Sequence, residues 1–395
     1  APTTKGPPMP TRRSLLSGLL GASAPLRAGV PKRTHAHVGN LACPALETVN
    51  VAIIGVGFRG CGAVYRLSAI PGVRVAAIGD LFKERTDRYA KWLTDRHFPA
   101  PKTAYGAQDA WKRLVEDPEI NLVYVATPWQ CHVEMVLHAL ECGKHVACEV
   151  PLCFTVEEAW RIVNKAEEKR VHCMLLENCC YGYSEMLALN MIRHGLLGTL
   201  VHGEAAYIHQ LAQHWFNGPG DNWRLKWNTA HTGNPYPTHG LGPICQYMDI
   251  GRGDQMRVLS ALSTKPIGMP EIAHNHRDAI AKHLPNATGS AHGMENRRAL
   301  TGPWAQGDMS TAIIKTEKNR TILLQHDVVS PRPYTRINLI SGTKGILRDY
   351  PLRIALDPNA HAWLDREQRE TLQAKYRHPL WRDSGAIAKK VGGHG

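Results

Sequence analysis

The stretch Val49–Gly60 has the sequence VNVAIIGVGFRG, in which a six-residue run rich in Val and Ile leads directly into Gly55, Gly57 and Gly60. A buried strand followed by Gly-x-Gly-x-x-Gly and a helix is typical of a dinucleotide-binding turn, because the glycines permit a tight turn and let the backbone approach a pyrophosphate. Asp80 ends the next apolar run, 20 residues after Gly60. Its carboxylate can accept both ribose hydroxyls and would repel a 2′-phosphate, so the sequence predicts a site for NAD rather than NADP.

The rest of the chain divides into two patterns. Short β-branched runs alternate with helical stretches as far as about Leu176, which predicts a parallel sheet covered by helices. Longer alternating runs follow Cys180 and favour an antiparallel sheet. The predicted fold is α/β, with an N-terminal Rossmann doubly wound parallel sheet and a C-terminal α+β domain with an open, mainly antiparallel sheet. The predicted segments are a leader (1–47), an NAD-binding domain (48–178), a substrate-binding domain (179–370) and a C-terminal segment (371–395).

Several local signals sharpen this prediction. Thr155 and Glu158 form a capping-box pattern that begins a helix ending near Arg170. A long segment from Gln210 to Pro243 is rich in Trp, His, Asn, Gly and Pro, and we interpret it as a loop that carries function. Its three tryptophans could stack on the apolar face of a sugar or pack against the loop itself: Trp215, Trp223 and Trp227.

Residues 1–47 have the character of a leader. The motif Thr11-Arg12-Arg13-Ser14-Leu15-Leu16 precedes a short apolar stretch that ends in Ala22-Ser23-Ala24, the pattern of a twin-arginine export signal. We therefore expect a periplasmic or exported protein. The alternative is a basic tail that contains two adjacent arginines.

Composition excludes several classes of partner. The 395 residues are 43% apolar and 21% charged and contain no apolar run of 18 residues, which argues against a membrane-spanning protein. The net charge is +13, but the two ends carry +8 of it, so no nucleic-acid partner is predicted. The ten cysteines include no Cys-x-x-Cys pair of the zinc-binding type, and no metal site is predicted.

Further motifs place the chain near known families. The glycine turn, Thr127-Pro128, Gly143-Lys144-His145-Val146 and Glu149-x-Pro151 together resemble the glucose-fructose oxidoreductase and inositol dehydrogenase family. Most of its members have a catalytic lysine where this chain has Val150, which argues against a simple sugar dehydrogenase. More specific motifs resemble glycoside hydrolase family 109, the NAD-dependent α-N-acetylgalactosaminidases: Ala126–Trp129, Glu149–Pro151, Leu176–Tyr181, Glu204–His209 and Thr238–Pro243.

The resemblance implies a hydrolysis without net oxidation. Bound NAD⁺ takes hydride from C3 of the sugar, a base removes the acidified C2 proton, the aglycone leaves from C1, and water addition and hydride return complete the cycle. The expected substrates are glycans that end in N-acetylgalactosamine. We find no convincing pair of carboxylates for the usual glycosidase mechanism.

The resemblance also assigns residues. Proton transfer falls to Tyr181 and His239 in an order left open, and His394, in a glycine-histidine segment near the pocket, is a third candidate catalytic residue. Packing is the alternative for Trp129 and His132, as it is for Tyr181. The residues expected around NAD, besides the three glycines, are Phe58, Arg59, Asp80, Trp129, His132, Glu149, Val150 and Asn178. Those expected around the sugar are Tyr207, Arg224, Tyr236, Thr238, His239 and Tyr334.

Two other functions stay open at this point. One is an NAD-dependent sugar oxidoreductase, and the other is an inactive NAD- or sugar-binding protein. The second is suggested because the sequence stops at Gly392-Gly393-His394-Gly395, where the resembled family continues with a further helical stretch. By analogy, the open sheet of the second domain predicts a homo-oligomer.

Overall fold

The computed structural model describes residues 35–216, 222–283 and 291–391. The twin-arginine motif and His394 therefore lie outside the described residues. The first sheet is parallel throughout and has the strand order β3-β2-β1-β4-β5-β6, the order of a Rossmann fold. Its strands are β1 (Val49–Ile54), β2 (Val73–Gly79), β3 (Lys102–Ala104), β4 (Leu122–Val125), β5 (His145–Cys148) and β6 (Cys173–Leu175).

Helices cover both faces of this sheet, and two apolar clusters fill the space beneath them. The capping box at Thr155 is present as predicted, with the Glu158 backbone N–H donating to the Thr155 side chain. The helices are α1 (Gly60–Ser68), α2 (Lys83–Thr94), α3 (Lys112–Val115), α4 (His132–Glu141) and α5 (Val156–Lys169).

The second sheet has the order β13-β12-β11-β7-β10-β9-β8 and is antiparallel except where β7 pairs with β10. The α/β prediction with a second, mainly antiparallel sheet is thus confirmed. One sheet face packs on a cluster built around α6 (Tyr183–Arg193) and the helix that begins at Thr238. The strands are β7 (Leu200–Ile208), β8 (Met256–Ser263), β9 (Ser310–Thr316), β10 (Thr321–Asp327), β11 (Leu339–Gly342), β12 (Gly345–Arg348) and β13 (Arg353–Leu356).

The interpretation of 210–243 as a loop is wrong in part, because the segment contains α7 (Trp223–Ala230) and the start of α8 (Thr238–Tyr247). The glycines and Pro243 of α8 disfavour a helix by propensity, but close packing against β7 overrides that preference. The short edge strands β3 and β13 also escaped prediction. The remaining helices are α9 (Gly268–Asn275), α10 (Arg277–His283), α11 (Ala291–Thr301), α12 (Arg366–Tyr376) and α13 (Pro379–Val391).

Across the described ranges, every helix is too short or too polar to cross a bilayer.

Candidate active site

The glycine turn between β1 and α1 is closed so tightly that two of its positions exclude a side chain. Gly55 has φ +88°, and a Cβ on Gly60 would lie 1.8 Å from the carbonyl oxygen of Gly55. At Gly57, by contrast, the nearest atom to an added Cβ is Arg85 Nη1 at 3.7 Å. The turn therefore has an open surface at Gly57, as close approach of a pyrophosphate requires.

Asp80 supports this turn from the end of β2. Its Oδ2 accepts a hydrogen bond from the backbone N–H of Val56 at 3.0 Å, and its Oδ1 accepts one from Phe82 N–H at 3.1 Å. Arg85 lies 3.5 Å from the same carboxylate. Asp80 therefore joins the glycine turn to the second strand, where the ribose of NAD is expected.

Three residues expected near NAD come together at the mouth of the turn. Arg59 donates to Glu149 Oε1 and to Asn178 Oδ1, each at 3.2 Å. Tyr124 donates its hydroxyl to the same Glu149 oxygen at 2.6 Å. Burial opposes the charge of Arg59, but the adjacent Glu149 outweighs it and raises the pKa of the guanidinium. Phe58 in the turn is fully exposed.

His132 is buried, and the structure gives its ring a local role. Nδ1 lies 2.7 Å from the carbonyl oxygen of Pro151, and Nε2 lies 2.8 Å from that of Thr127. Burial lowers the pKa of this histidine. Both ring nitrogens thus face backbone carbonyls, one after β4 and one after β5, and the nitrogen that carries the proton donates to its carbonyl. Val150 beside it is buried among aromatic residues of the second domain.

His239 lies in the first turn of α8, not in a loop, and it contacts Glu177 from the first domain. Its Nδ1 is 2.7 Å from Glu177 Oε1 and 3.0 Å from Oε2. The contact depends on two glycines. A Cβ on Gly240 would lie 2.4 Å from Ala206 N in β7, and one on Gly242 would lie 3.0 Å from Glu177 Cγ. The Thr-His-Gly-Leu-Gly motif therefore lets the helix approach both partners closely.

The charge state of Glu177 fixes the direction of this hydrogen bond. Burial opposes ionisation, but the hydrogen bond from His239 and that from Cys179 N–H outweigh it, so the pKa of Glu177 lies below its usual range. An ionised carboxylate can only accept, so His239 Nδ1 carries a proton. In the neutral ring the Nε2 lone pair is then the site available to take a proton.

Cys179 lies beside this pair, and the three ligand atoms of Glu177, Cys179 and His239 fall within 4.8 Å of one another. Burial raises the pKa of the Cys179 thiol to about 12. Its backbone N–H donates to Glu177 Oε1 at 3.0 Å, so Cys179 and His239 both contact the Glu177 carboxylate.

Aromatic side chains from both domains pack around His239. Tyr207 and Tyr236 pack against its ring with centroid distances of 5.3 and 4.6 Å. Trp129 of the first domain stacks on Tyr236 at 5.4 Å, and the Arg224 guanidinium lies 4.8 Å from the Trp129 ring. Residues expected at the nucleotide and at the sugar are therefore in direct contact across the two domains.

Both domains of the chain match known protein families. The family profile described as glycosyl hydrolase 109, C-terminal domain, matches residues 181–395, and that of the oxidoreductase family, NAD-binding Rossmann fold, matches residues 49–176. The chain is 40% identical over 391 residues to a glycosyl hydrolase family 109 protein of Porphyromonas gingivalis, covering 94% of this chain and 79% of that one. The chain belongs to glycosyl hydrolase family 109. The predicted family is confirmed, and the protein is an NAD-dependent glycoside hydrolase.

Two further proteins, one relative and one solved structure, are similar to this member of family 109. An alpha-N-acetylgalactosaminidase of Shewanella oneidensis is 39% identical over 383 residues, covering 95% of this chain and 79% of that one. Levoglucosan dehydrogenase in complex with NADH superposes with a TM-score of 0.61 at 19% identity, covering 81% and 79% of the two chains. The second match reports the shared fold. The prediction of NAD as cofactor is confirmed.

Three predicted residues of this family 109 protein remain, and two of them are partly exposed to solvent. Tyr181 is 37% exposed, and its carbonyl accepts a hydrogen bond from Trp381 Nε1 at 2.8 Å. Tyr334 is 43% exposed, and its ring centroid lies 6.2 Å from that of Tyr207. Thr238 begins α8 immediately before His239. Burial raises the pKa of Tyr181 and of Tyr334.

Sequence reasoning missed Glu177 as a functional residue. Its partner His239 is 62 positions away, and no local spacing connects them. A signal was present nonetheless, because Glu177 lies two residues after the end of β6, at the carboxyl edge of the first sheet, where ligands of such folds bind.

Proposed function

We propose that this family 109 enzyme hydrolyses terminal α-N-acetylgalactosaminides. The observation that carries the proposal is the buried Glu177–His239 pair, which joins the two domains and packs against the aromatic rings of Tyr207 and Tyr236. The named Shewanella oneidensis relative supports the choice of sugar. Aromatic faces such as those of Tyr207 and Tyr236 are suited to a pyranose ring.

The residues at the glycine turn fit a dinucleotide. The open backbone at Gly57 would receive the pyrophosphate, Asp80 the ribose, and Arg59 with Glu149 would lie at the inner end of the groove. When bound, NAD⁺ supplies a reversible hydride acceptor for C3 of the sugar. The protein has then to hold the sugar and move protons.

His239 is assigned as the base. Glu177 holds the Nδ1 proton in place and stabilises the imidazolium that forms when Nε2 takes the C2 proton. The electron pair left on C2 forms the C1–C2 double bond as the C1–O bond breaks. Water later adds at C1 and a proton returns to C2. C3 finally regains its hydride and its hydroxyl proton, so the sum of the steps is hydrolysis.

Tyr181 is assigned as the acid that assists the leaving group. Its pKa is raised, first by burial and then by Cys180, so the phenol is protonated at neutral pH and can donate. A base role for Tyr181 would require the opposite shift. This assignment makes the two proton carriers chemically distinct.

The proposal is tested with p-nitrophenyl α-N-acetylgalactosaminide and purified NAD-loaded protein. Release of p-nitrophenol without accumulation of NADH is the expected result. Stoichiometric NADH formation with free sugars and no release would favour a sugar oxidoreductase. Tight NAD binding without turnover of either kind would favour an inactive binding protein.

We further propose that the protein is exported with NAD bound. The support is the Arg12-Arg13 motif with its apolar stretch, a signal type whose pathway carries folded proteins. Fractionation of cells that express the full chain should find the protein outside the cytoplasm. An Arg12→Lys, Arg13→Lys variant should stay inside, and equal export of the two would refute the proposal.

Self-association is proposed for the outer face of the second sheet. Val258 and Leu262 of the edge strand β8 are 61% and 81% exposed, and Ile313 of β9 on the same face is 56% exposed. Such an uncovered apolar edge is a place where another chain can pair. Analytical ultracentrifugation should find an oligomer that a Leu262→Lys variant weakens. A wild-type monomer would refute it.

A further inference from the structure

The side chains of Glu177, Cys179 and His239 offer a carboxylate oxygen, a sulfur and an imidazole nitrogen within 4.8 Å of one another. All three residues are buried. Within the described ranges, no other set of three His, Cys, Asp or Glu side chains brings its donor atoms as close together. Carboxylate, thiolate and imidazole are the ligands that bind Zn²⁺ in proteins. The proposed proton-transfer pair therefore belongs to a group of side chains that can bind a metal ion.

The spacing of these donor atoms is close to that of a tetrahedral zinc site. Zinc lies about 2.0–2.3 Å from each ligand atom, so two ligands of the same ion are about 3.3–3.8 Å apart. His239 Nδ1 is 2.7 Å from Glu177 Oε1 and 3.0 Å from Oε2. The Cys179 sulfur lies within 4.8 Å of a donor atom of each partner. Side-chain movements of about 1 Å would bring all three atoms to zinc-binding distances.

The charges of this group match those of a divalent cation. Glu177 is ionised, the imidazole of His239 binds a metal in its neutral form, and a metal-bound Cys179 is a thiolate, so two negative charges would face the ion. The sum is zero, which avoids the cost of a buried net charge. Burial raises the pKa of the Cys179 thiol to about 12 and opposes this, whereas the charge of Arg336 acts in the other direction. Arg336 is itself paired with Glu185.

We propose that Glu177, Cys179 and His239 bind Zn²⁺ and that the bound ion inhibits the enzyme. The ion takes the place of the proton on His239 Nδ1, and this proton moves to Nε2. The Cys179 thiol loses its proton to solvent, so one proton is released for each ion bound. Nε2 then has no lone pair with which to remove the C2 proton. The inhibitory part of this inference rests on the proposed function, because it requires His239 to be the base.

Binding is tested on NAD-loaded protein with Zn²⁺ alone and with Co²⁺ as its spectroscopic substitute. Calorimetry of Zn²⁺ in buffers of different ionisation enthalpy should show the release of about one proton per ion. Co²⁺ should give the near-ultraviolet absorption band of a cobalt–thiolate bond. A wild-type protein that binds Zn²⁺ without proton release, or Co²⁺ without this band, would refute the site.

A matched pair of variants locates the site. Cys179→Ser keeps the backbone N–H that donates to Glu177 but lacks the thiol, so its Zn²⁺ affinity should fall by at least about 10–100-fold and the cobalt–thiolate band should disappear. Cys180→Ser, the same change at the next position, should keep both the affinity and the band. The same band in Cys179→Ser as in wild type would place the bound metal elsewhere and overturn the inference.

An activity measurement separates this inference from the proposed function. Release of p-nitrophenol from the α-N-acetylgalactosaminide should fall as Zn²⁺ is added and should return with EDTA. Cys179→Ser should need at least about 10-fold more Zn²⁺ than wild type for the same fractional inhibition. Equal sensitivity of the two proteins, or stimulation by Zn²⁺, would overturn the inhibitory part. If wild type cleaves no glycoside, the proposed function fails, while the zinc and cobalt measurements still test the site.

Discussion

The glycine turn and α8 each depend on a glycine that lies against backbone atoms. The two contacts differ in how far apart the partners are in the sequence. In the turn, Gly60 closes on Gly55, five residues earlier in the same motif. In α8, Gly240 closes on Ala206 of another strand, and His239 reaches Glu177 in the other domain. The nucleotide site is thus specified by residues close in sequence, whereas the proposed proton-transfer site exists only after both sheets have formed and docked.

The largest effect on activity is expected from His239→Gln, which removes the proposed base of the proton-transfer site. Glutamine can still donate to Glu177, so the fold should persist while kcat falls by about 10²–10⁴-fold. NAD affinity should stay unchanged because the glycine turn is untouched. His202→Gln, on the outer part of β7, is the matched control, and a similar loss of kcat there would contradict the assignment.

Gly60→Ala is expected to disrupt the nucleotide site, whose contacts join residues close in sequence. The new Cβ would lie 1.8 Å from a backbone oxygen, so the turn must open and NAD affinity should fall by at least about 100-fold. Gly62→Ala is the control in the same helix, since its Cβ meets only the flexible end of Arg66. Titration with NAD, followed by calorimetry, measures both. Equal affinity of the two variants would refute this account of the turn.

The same contrast, between contacts of neighbouring residues and contacts of residues distant in sequence, explains what could be predicted from the sequence. Gly55 to Gly60, Asp80 and the capping box at Thr155 are local patterns with a single structural meaning, and the structure reproduces all of them. α8 escaped prediction because Gly240, Gly242 and Pro243 argue against a helix until β7 is present to pack on. Glu177 escaped for the same reason, since its partner His239 comes from a distant segment.

A smaller effect is expected from Glu177→Gln. The glutamine oxygen can still accept from His239, but the charge that stabilises the imidazolium is lost, so kcat should fall by about 10–100-fold with little change in KM. Glu204→Gln is the control, because Glu204 lies 3.7 Å from His202 outside the site. Losses of equal size in both variants would contradict a positioning role for Glu177.

The smallest effect concerns acid stability. The pKa of Glu177 in the folded protein lies below its ordinary 4.5, so its contribution to stability is fully present above that value and is lost as the pH falls through the folded pKa. The melting temperature of wild type should exceed that of Glu177→Gln by about 2 °C at pH 7, and the gap should close towards pH 3. A gap that stays constant with pH would contradict the ionised pair.

The central claim is that the glycosidic bond breaks by elimination after His239 removes the C2 proton. The most direct measurement is the deuterium content at C2 of the N-acetylgalactosamine that NAD-loaded wild-type protein releases in D₂O. We predict incorporation of solvent deuterium at C2 in step with product release, and a parallel loss of release and incorporation in His239→Gln. Released sugar that retains its original hydrogen at C2 would contradict the account.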